Sequence, residues 1–299
     1  MTIQIVGLGP AGAELVTAET LALLQGANHV IVRTRHHPAV AELDPAGAWE
    51  SCDDLYGSGD SFDGTYRRIA ERVVQGGTAA GMVYAVPGNP LIAEASVPLV
   101  VELARAAGIA VKVRPALGYP DVAAIALERD LHDIQLCDAL ALRLDTWRPA
   151  LVGQVHSRDV ATSLKLQLLD FMPADHQVAW LHSLATPDQV VTWMPLSELD
   201  HRPWGYLDTL FVPPLEPLAD VRRFDGFWHV IERLHSPDGC PWDREQTHLS
   251  LRTHLLEEAY ELLEAIDADD PDRIAEELGD VLLQVAMHSA VGERSGRFG

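Results

Sequence analysis

The sequence predicts an α/β domain followed by a small all-α domain. One observation is a strand, a glycine turn, a helix and a second strand near the N-terminus, an order that builds an α/β unit. A second is a pair of apolar runs with helical spacing near the C-terminus. Between these regions, consecutive prolines in residues 213–217 indicate a linker, because proline cannot continue a strand. Two domains also suit a length of 299 residues.

The N-terminal unit begins with a predicted strand at residues 3–6, which leads into the glycine turn 7–12. A helix around residues 19–24 and a strand at 29–32 follow. The glycines allow a ligand to approach the backbone, although a tight turn alone also uses glycine. Arginines occupy 33 and 35, where a dinucleotide-binding unit has an acidic residue, so NAD is not expected.

A second glycine turn follows a predicted buried strand at residues 81–86. The turn contains Gly88, Asn89 and Pro90, and a helix is predicted from about residue 92 to 107. Further α/β structure is expected after it. The predicted strands there are 111–113, 140–142, 151–153, 177–181, 190–193 and 210–212, and the predicted helix is 163–171.

The composition limits the partners. The formal charge is −22, and Lys112 and Lys165 are the only lysines, which disfavours nucleic acid and anionic membranes as partners. A phosphate substrate stays compatible with this charge, because metal ions can carry the positive charge. Cys52, Cys137 and Cys240 are odd in number and scattered, which indicates reduced thiols. With no apolar run of about 18 residues and no signal segment, we expect a soluble, cytoplasmic protein.

Two clusters of carboxylates stand beside the C-terminal apolar runs. Glu257, Glu258 and Glu261 share one face of a helix, and Glu277 and Asp280 are three residues apart on the next. Residues 267–271 form the predicted turn between the helices. Two antiparallel helices would bring the five acids together, where they repel one another unless a divalent cation holds them. A solvated acidic face is the alternative.

This pattern resembles the all-α nucleoside triphosphate pyrophosphohydrolases, and more narrowly the MazG family. Residues 239–247 and 276–285 match segments of that family, and the resemblance covers about residues 222–299. It implies Mg²⁺-dependent hydrolysis of a nucleoside triphosphate to the monophosphate and pyrophosphate. The resemblance implies metal-binding and catalytic roles for the five carboxylates Glu257, Glu258, Glu261, Glu277 and Asp280.

Three further residues are candidates for substrate binding. Trp242 could stack on the base, since every base has a π-face, or pack in the core of a Pro-Trp turn. Arg244 and Arg252 could contact phosphates or serve as surface charges. The resembled family continues with further helical sequence, so we expect residues 222–299 to form an incomplete domain. Such a domain must dock on the N-terminal domain or pair with a second copy. Because the family works as dimers, a homodimer through the C-terminal helices is expected.

The two glycine turns together resemble those of the tetrapyrrole (corrin and porphyrin) methylase family, which binds S-adenosylmethionine. The match covers about residues 1–213 and implies two α/β subdomains, the second starting near residues 152–155. Within that family these loops hold S-adenosylmethionine by backbone contacts. The residues that correspond to them here are Gly7, Gly9, Pro10, Gly88 and Pro90. Ala11 replaces a usual glycine, a departure for which Gly12 could compensate.

The resulting prediction is a methylase-like domain at 1–213, a linker at 214–221 and a MazG-like domain at 222–299. Its expected activity is nucleotide pyrophosphohydrolysis with Mg²⁺, beside a domain of the type that binds S-adenosylmethionine. The alternative is a tetrapyrrole-type methyltransferase whose MazG remnant only dimerises or binds nucleotide.

Overall fold

The computed structural model describes residues 2–56, 62–77, 81–220 and 223–298. The chain divides into two compact units, Met1–Pro214 and Leu215–Gly299. In the described residues, no helix has the length and apolar character needed to cross a membrane.

The first half of the N-terminal unit is a five-stranded parallel sheet in the order β3-β2-β4-β1-β5. Its strands are β1 (Thr2–Gly7), β2 (His29–Val32), β3 (Glu50–Ser51), β4 (Met82–Val86) and β5 (Ala110–Val113). The helices of this half are α1 (Ala18–Gln25), α2 (Pro38–Leu43), α3 (Phe62–Gly76) and α4 (Ser96–Ala106).

Both faces of this sheet are covered. Ile5 and Tyr84 belong to the cluster on one face, and Val32 and Val83 belong to the cluster on the other. Every residue of β4 is buried, as expected for a central strand of a parallel sheet with helices on both sides. The carboxyl ends of β1 and β4 therefore lie next to each other at one edge, where the two glycine turns begin.

The second half is a mixed sheet in the order β6-β7-β10-β8-β9, in which only β6 and β7 are parallel. Its strands are β6 (Gln135–Asp138), β7 (Ala150–Gly153), β8 (Gln177–His182), β9 (Val190–Pro195) and β10 (Asp208–Val212). The helices are α5 (Tyr119–Leu127) and α6 (Arg158–Leu169). The expected α/β domain with two α/β subdomains is confirmed.

Two predicted elements are wrong in detail. The predicted strand 140–142 is not a strand, because the Asp138 side chain accepts a hydrogen bond from Leu140 N and turns the chain after β6. The helix predicted from residue 92 begins at Ser96, since Ala93 has a φ of +54° and Asn89 caps a turn by accepting from Leu91 N. Helices α2, α3 and α5 lacked a sequence prediction.

The C-terminal unit is all-α, as predicted. Its helices are α7 (Phe224–His235), α8 (Pro241–Glu245), α9 (His248–Asp267) and α10 (Pro271–Arg294). Residues 221 and 222, where the predicted linker ends and the predicted MazG-like domain begins, lie outside the described residues. Side-chain caps start the two long helices: Thr247 accepts from Ser250 N, and Asp270 accepts from Arg273 N.

The core of this unit lies on only one side of the α9–α10 hairpin, where Leu251 and Met287 pack against Ile231. The other side of the hairpin is apolar but exposed to solvent. We call this surface the apolar face; its residues are between 43% and 57% exposed. They are Leu256, Leu263, Ile266, Leu278, Leu282 and Val285.

Candidate functional site

The α9–α10 hairpin brings three of the five predicted carboxylates together. One carboxylate oxygen from each of Glu258, Glu261 and Glu277 lies within 4.8 Å of the others. Helical spacing places Glu258 and Glu261 on one face of α9, and the short turn to α10 lets Glu277 face them. Glu277 is only 8% exposed, whereas Glu258 is half-buried and Glu261 is exposed.

The electrostatics of this carboxylate group show that its members repel one another. Burial raises the pKa of Glu258, and the charges of Asp280, Glu261, Glu277 and Glu257 raise it further. Asp280 and Glu257 are thus close enough to act on Glu258, although they lie outside the group of three oxygens.

Burial also raises the pKa of Glu277, and the Glu261 carboxylate adds to the effect. Arg273 opposes it, with its guanidinium 3.9 Å from the Glu277 carboxylate. A single partly exposed arginine cannot neutralise this many acids. Hard oxygen donors at this separation are the ligand set that Mg²⁺ prefers, so the residues present fit that ion.

Glu257 points to a different neighbour. Its carboxylate lies 3.4 Å from Nδ1 of His254, one turn earlier on α9. The His254 ring in turn meets the edge of Trp242, with 6.1 Å between the ring centroids. Trp242 is 54% exposed, so of its two predicted roles the structure leaves its ring accessible to a ligand rather than packed in the core.

The two candidate arginines lie apart from the carboxylate group. Arg244 lines a cavity of about 310 Å³ that is also lined by His235, Glu245 and Arg294. Arg252 is exposed on the first turns of α9. Within the described ranges, neither arginine forms an ion pair with a carboxylate of the group.

The two glycine turns of the N-terminal unit meet at the ends of β1 and β4. Gly88 N donates to Gly9 O at 2.7 Å, and Gly9 N donates to Gly88 O at 3.3 Å. Both residues have positive φ, +73° at Gly9 and +61° at Gly88, which a residue with a side chain rarely adopts. At Gly7 a Cβ atom would collide with the Gly88 carbonyl oxygen and would lie 2.9 Å from Pro90 Cδ.

The backbones of the two turns are therefore in direct contact with each other. Pro10, the fifth predicted residue, is half-buried directly after Gly9. The Asn89 side chain donates to Ala116 O at 2.7 Å and so ties the second turn to the segment before α5. Sequence reasoning predicted the two turns separately, and the structure pairs them.

His37 supports the first turn and was not identified from the sequence. Its ring is buried, and Nε2 lies 3.0 Å from Gly9 O, 28 residues away in the chain. Burial lowers the pKa of His37 to about 4, and the hydrogen bond to Gly9 only partly opposes this. The only sequence signal is its place before Pro38, at the N-terminus of α2.

The depressed pKa of His37 predicts that the N-terminal unit loses stability in mild acid. The unfolded chain takes up a proton near pH 6.5 whereas the folded chain resists it until about pH 4. The free energy of unfolding therefore falls as the pH drops from about 7 to about 5, by about 2 kcal/mol. Urea unfolding at the two pH values measures it.

A His37→Asn variant should show a shallower loss over the same interval, although it starts from lower stability. His132→Asn, at an exposed histidine of the same unit, should keep the parental slope. Equal slopes in all three proteins would mean that His37 does not control the acid response.

Comparison with known proteins identifies both units. The family model for tetrapyrrole (corrin/porphyrin) methylases matches residues 2–200. The chain belongs to this family. The model for the MazG nucleotide pyrophosphohydrolase domain matches residues 246–299. The predicted fusion of a tetrapyrrole methylase domain with a MazG domain is therefore confirmed.

Two curated relatives match different lengths of the chain. The chain is 35% identical over 303 residues to the uncharacterized protein YabN of Bacillus subtilis (strain 168), covering 99% of this chain and 62% of YabN. It is 52% identical over 75 residues to the nucleoside triphosphate pyrophosphohydrolase/pyrophosphatase MazG of Thermotoga maritima, covering 25% of this chain and 29% of that protein. The chain thus spans less than two thirds of the length of either relative.

Solved structures resemble the tetrapyrrole methylase unit in fold. The methyltransferase CobJ matches with a TM-score of 0.56 at 17% identity, over 71% of this chain and 93% of that chain. A uroporphyrin-III C-methyl transferase from Thermus thermophilus, complexed with S-adenyl homocysteine, matches with a TM-score of 0.51 at 18% identity, over 71% of this chain and 92% of that one. At these identities the likeness shows the fold alone.

Proposed function

We propose that the C-terminal MazG unit hydrolyses nucleoside triphosphates to the monophosphate and pyrophosphate with Mg²⁺. The observation that carries this proposal is the group of three carboxylates, Glu258, Glu261 and Glu277, with oxygens within 4.8 Å of one another. Burial raises the pKa values of Glu277 and Glu258, and repulsion between the acids adds to the effect. Such a group favours a divalent cation over a solvated acidic face.

Each side chain has a distinct part in this reaction. Glu258, Glu261 and Glu277 hold the metal, with Asp280 beside them. An Mg²⁺ ion held there would supply positive charge to the triphosphate and would make water a better nucleophile toward the α-phosphorus. Glu257 and Asp280, both outside the group of three oxygens, are the carboxylates left to accept a proton from the attacking water.

The nucleotide itself needs contacts for its base and its phosphates. The exposed ring of Trp242 can stack on the base, and its edge contact with His254 keeps it beside the carboxylate helix. Arg244 on α8 and Arg252 on α9 are the proposed contacts for phosphate oxygens.

Pyrophosphate release from each common nucleoside triphosphate, with and without Mg²⁺, tests this function. Release should require Mg²⁺ and fall about 10-fold or more in Glu261→Gln, since the amide keeps the shape but loses the charge. Glu264→Gln is the matched control, as Glu264 lies one turn further along α9 and is exposed. Absence of release, or equal release in both variants, would contradict the proposal.

We further propose that the apolar face of the α9–α10 hairpin pairs with a second copy of the chain. Large exposed apolar patches mark interaction sites, and burying these six apolar side chains against a copy removes them from water. Glutamate at Leu256 or Leu282 places a charge in that interface. Each change should convert a dimer to a monomer, as measured by sedimentation velocity.

Ile125→Glu is the control for that experiment, because Ile125 is 79% exposed in the other unit. This change should leave the dimer intact. A parent chain that sediments as a monomer, or interface variants that remain dimeric, would show that the face has another occupant.

A second candidate function belongs to the N-terminal unit. We infer that it binds S-adenosylmethionine and transfers its methyl group, at the backbone cradle formed by Gly7, Gly9, Pro10, Gly88 and Pro90. The observation that favours it is the absence of room for a Cβ atom at Gly7. Calorimetric titration with S-adenosylmethionine tests it, and binding should be the same in Glu261→Gln as in the parent.

A further inference from the structure

An Asp–His–Ser arrangement lies in the second sheet of the N-terminal unit, and none of its residues belongs to either candidate site. Its residues are Asp208, His182 and Ser183. The last residue of β8, His182, pairs in register with the first residue of β10, Asp208. From this geometry we propose that Ser183 is a nucleophile for acyl transfer, activated by His182 and Asp208, with activated esters as the substrate class.

The hydrogen bonds run in the order that such a relay requires. His182 Nδ1 lies 2.6 Å from Asp208 Oδ1, and His182 Nε2 lies 3.2 Å from Ser183 Oγ. Because an ionised carboxylate only accepts, Nδ1 carries the hydrogen, and in the neutral ring the lone pair of Nε2 then faces the hydroxyl. The serine hydroxyl therefore donates to a nitrogen that can take its proton.

The Asp208 carboxylate is held in place by further donors. Its side chain is fully buried, and its second oxygen accepts from Trp180 Nε1 at 3.1 Å and from Gly205 N at 2.7 Å. The Trp180 ring also packs against the His182 ring, with 4.7 Å between the centroids. These contacts leave the histidine a single orientation, which makes Asp208 a positioning residue in this relay.

The backbone at Ser183 is strained in the manner of a nucleophile turn. Its φ is +47°, in the left-handed region that a residue with a side chain rarely adopts. The strain is maintained by Ser183 N, which donates to Leu207 O at 3.1 Å. Strain of this kind clusters at functional sites, and a sharp turn at the nucleophile exposes its hydroxyl.

A donor for the developing oxyanion follows directly in the chain. Among the hydrogen bonds of the described residues, the backbone N–H of Leu184 has no acceptor. In hydrolases with a strand-to-helix nucleophile turn, the N–H of the residue after the serine is one of the two oxyanion donors, and Leu184 N–H holds the corresponding position in the turn between β8 and β9. The N–H of the following residue, Ala185, donates to the Gln189 side chain.

Solvent reaches the arrangement at the ends of the strands. The His182 side chain is 31% exposed, although Asp208 beneath it is buried. β10 pairs with β7, so the start of β10 lies at the end of β7, where Gly153 approaches Tyr119 of α5. The relay therefore lies where β8 ends and β10 begins, at one end of two inner strands of the sheet.

The proposed acyl transfer needs no cofactor. The Ser183 oxygen forms a bond to the carbonyl carbon of the ester while its proton passes to His182 Nε2. The bond from carbon to the leaving alkoxide then breaks, and His182 returns the proton to that alkoxide. Water repeats the two steps on the acyl-serine and releases the carboxylic acid. Neither Mg²⁺ nor a nucleotide takes part, so this activity is independent of the functions proposed above.

The experiment uses a fluorophosphonate probe on the full chain, with the modified peptide mapped by mass spectrometry. The serine oxygen displaces fluoride from phosphorus, and the label should map to Ser183. Labelling should disappear in Ser183→Ala and fall about 100-fold in His182→Gln, as expected when a base is lost. Ser163→Ala is the control, because the exposed Ser163 hydroxyl contacts Gln167 rather than a histidine.

Two readouts separate catalysis from a structural role for the same hydrogen bonds. The labelling rate of the parent should rise with pH as a histidine deprotonates, and Asp208→Asn should slow it about 10-fold or more while the label still maps to Ser183. Ser183→Ala removes only a hydroxyl, so its melting temperature should stay near that of the parent. No label at Ser183 in the parent, or a rate that His182→Gln leaves unchanged, would overturn the proposal.

Discussion

Replacing Glu277 with glutamine is expected to reduce Mg²⁺-dependent pyrophosphate release by about 100-fold, equivalent to about 2.7 kcal/mol of transition-state stabilisation. We expect a larger effect than for Glu261→Gln because Glu277 is the buried member of the carboxylate group. A buried carboxylate is fixed by its surroundings, so water cannot replace it easily as a ligand. The measurement is the initial rate of pyrophosphate release at saturating nucleotide.

The same change should have the opposite effect on stability when Mg²⁺ is absent. Glu277 is repelled by Glu261 and Asp280, and glutamine removes that repulsion while keeping the side-chain volume. The metal-free variant should therefore melt at a higher temperature than the metal-free parent. Added Mg²⁺ should raise the melting temperature of the parent and leave the variant almost unchanged, because only the parent binds the ion tightly.

The stability of the metal-free C-terminal unit should also depend on pH. The folded unit raises the pKa values of Glu258 and Glu277, so it binds their protons more tightly than the unfolded chain does. This contribution to stability is fully present below the ordinary value of 4.5 and is lost as the pH rises through the raised values. Without Mg²⁺, the C-terminal unit should gain stability from these groups as the pH falls from neutrality.

Glu276→Gln is the matched control for this series. Glu276 is exposed beside Glu277 and lies outside the group of three oxygens. Its variant should keep both the rate and the Mg²⁺-dependent rise in melting temperature. If Glu277→Gln retained that rise, the carboxylate group would be a solvated acidic face rather than a metal site.

The sequence predicted those parts of the fold that local pattern decides. Apolar residues recur at the spacing of a strand or a helix in four predicted elements, and the structure contains all four. They are β1, α1, β2 and β4. The strand β6 was misplaced because two of its four residues are exposed and its apolar signal is weak. α3 was missed since its sequence is polar on average and contains two glycines.

In the candidate sites too, local pattern predicted some contacts and missed others. Helical spacing was enough to predict that Glu258, Glu261 and Glu277 approach one another, although it could not show that Glu277 is the buried one. Contacts between residues far apart in the chain left no signal. His37 meets Gly9 across 28 residues and His182 meets Asp208 across 26, and only the folded sheets bring those pairs together.

Replacing Gly7 with alanine is expected to be the most damaging single change in the N-terminal unit. The added Cβ would collide with the Gly88 carbonyl oxygen and lie 2.5 Å from Ala116 Cβ and 2.9 Å from Pro90 Cδ. None of these atoms ends a flexible side chain, so the backbone itself must move. We expect a loss of about 3 kcal/mol in the free energy of unfolding, at the upper end for an overpacked site.

The same collision tests the proposed ligand site. If β1 moves away from the Gly88 turn, the two hydrogen bonds between Gly9 and Gly88 are broken, and the cradle for S-adenosylmethionine opens. Calorimetry should then show binding weakened by about 10-fold or more, equivalent to about 1.4 kcal/mol, at a temperature where the variant is still folded. Urea unfolding gives the loss of stability on the same samples.

Gly26→Ala distinguishes a general effect of removing glycine from an effect of this cradle. Gly26 ends α1 with φ of −91°, and the nearest atom to an added Cβ there is 3.4 Å away, so alanine fits. This variant should bind and unfold like the parent. A Gly7→Ala protein that unfolds at the parental urea concentration would show that the turns can separate without cost. If it lost stability but still bound S-adenosylmethionine normally, the close approach at Gly7 would serve the fold alone, and the ligand would contact other parts of the unit.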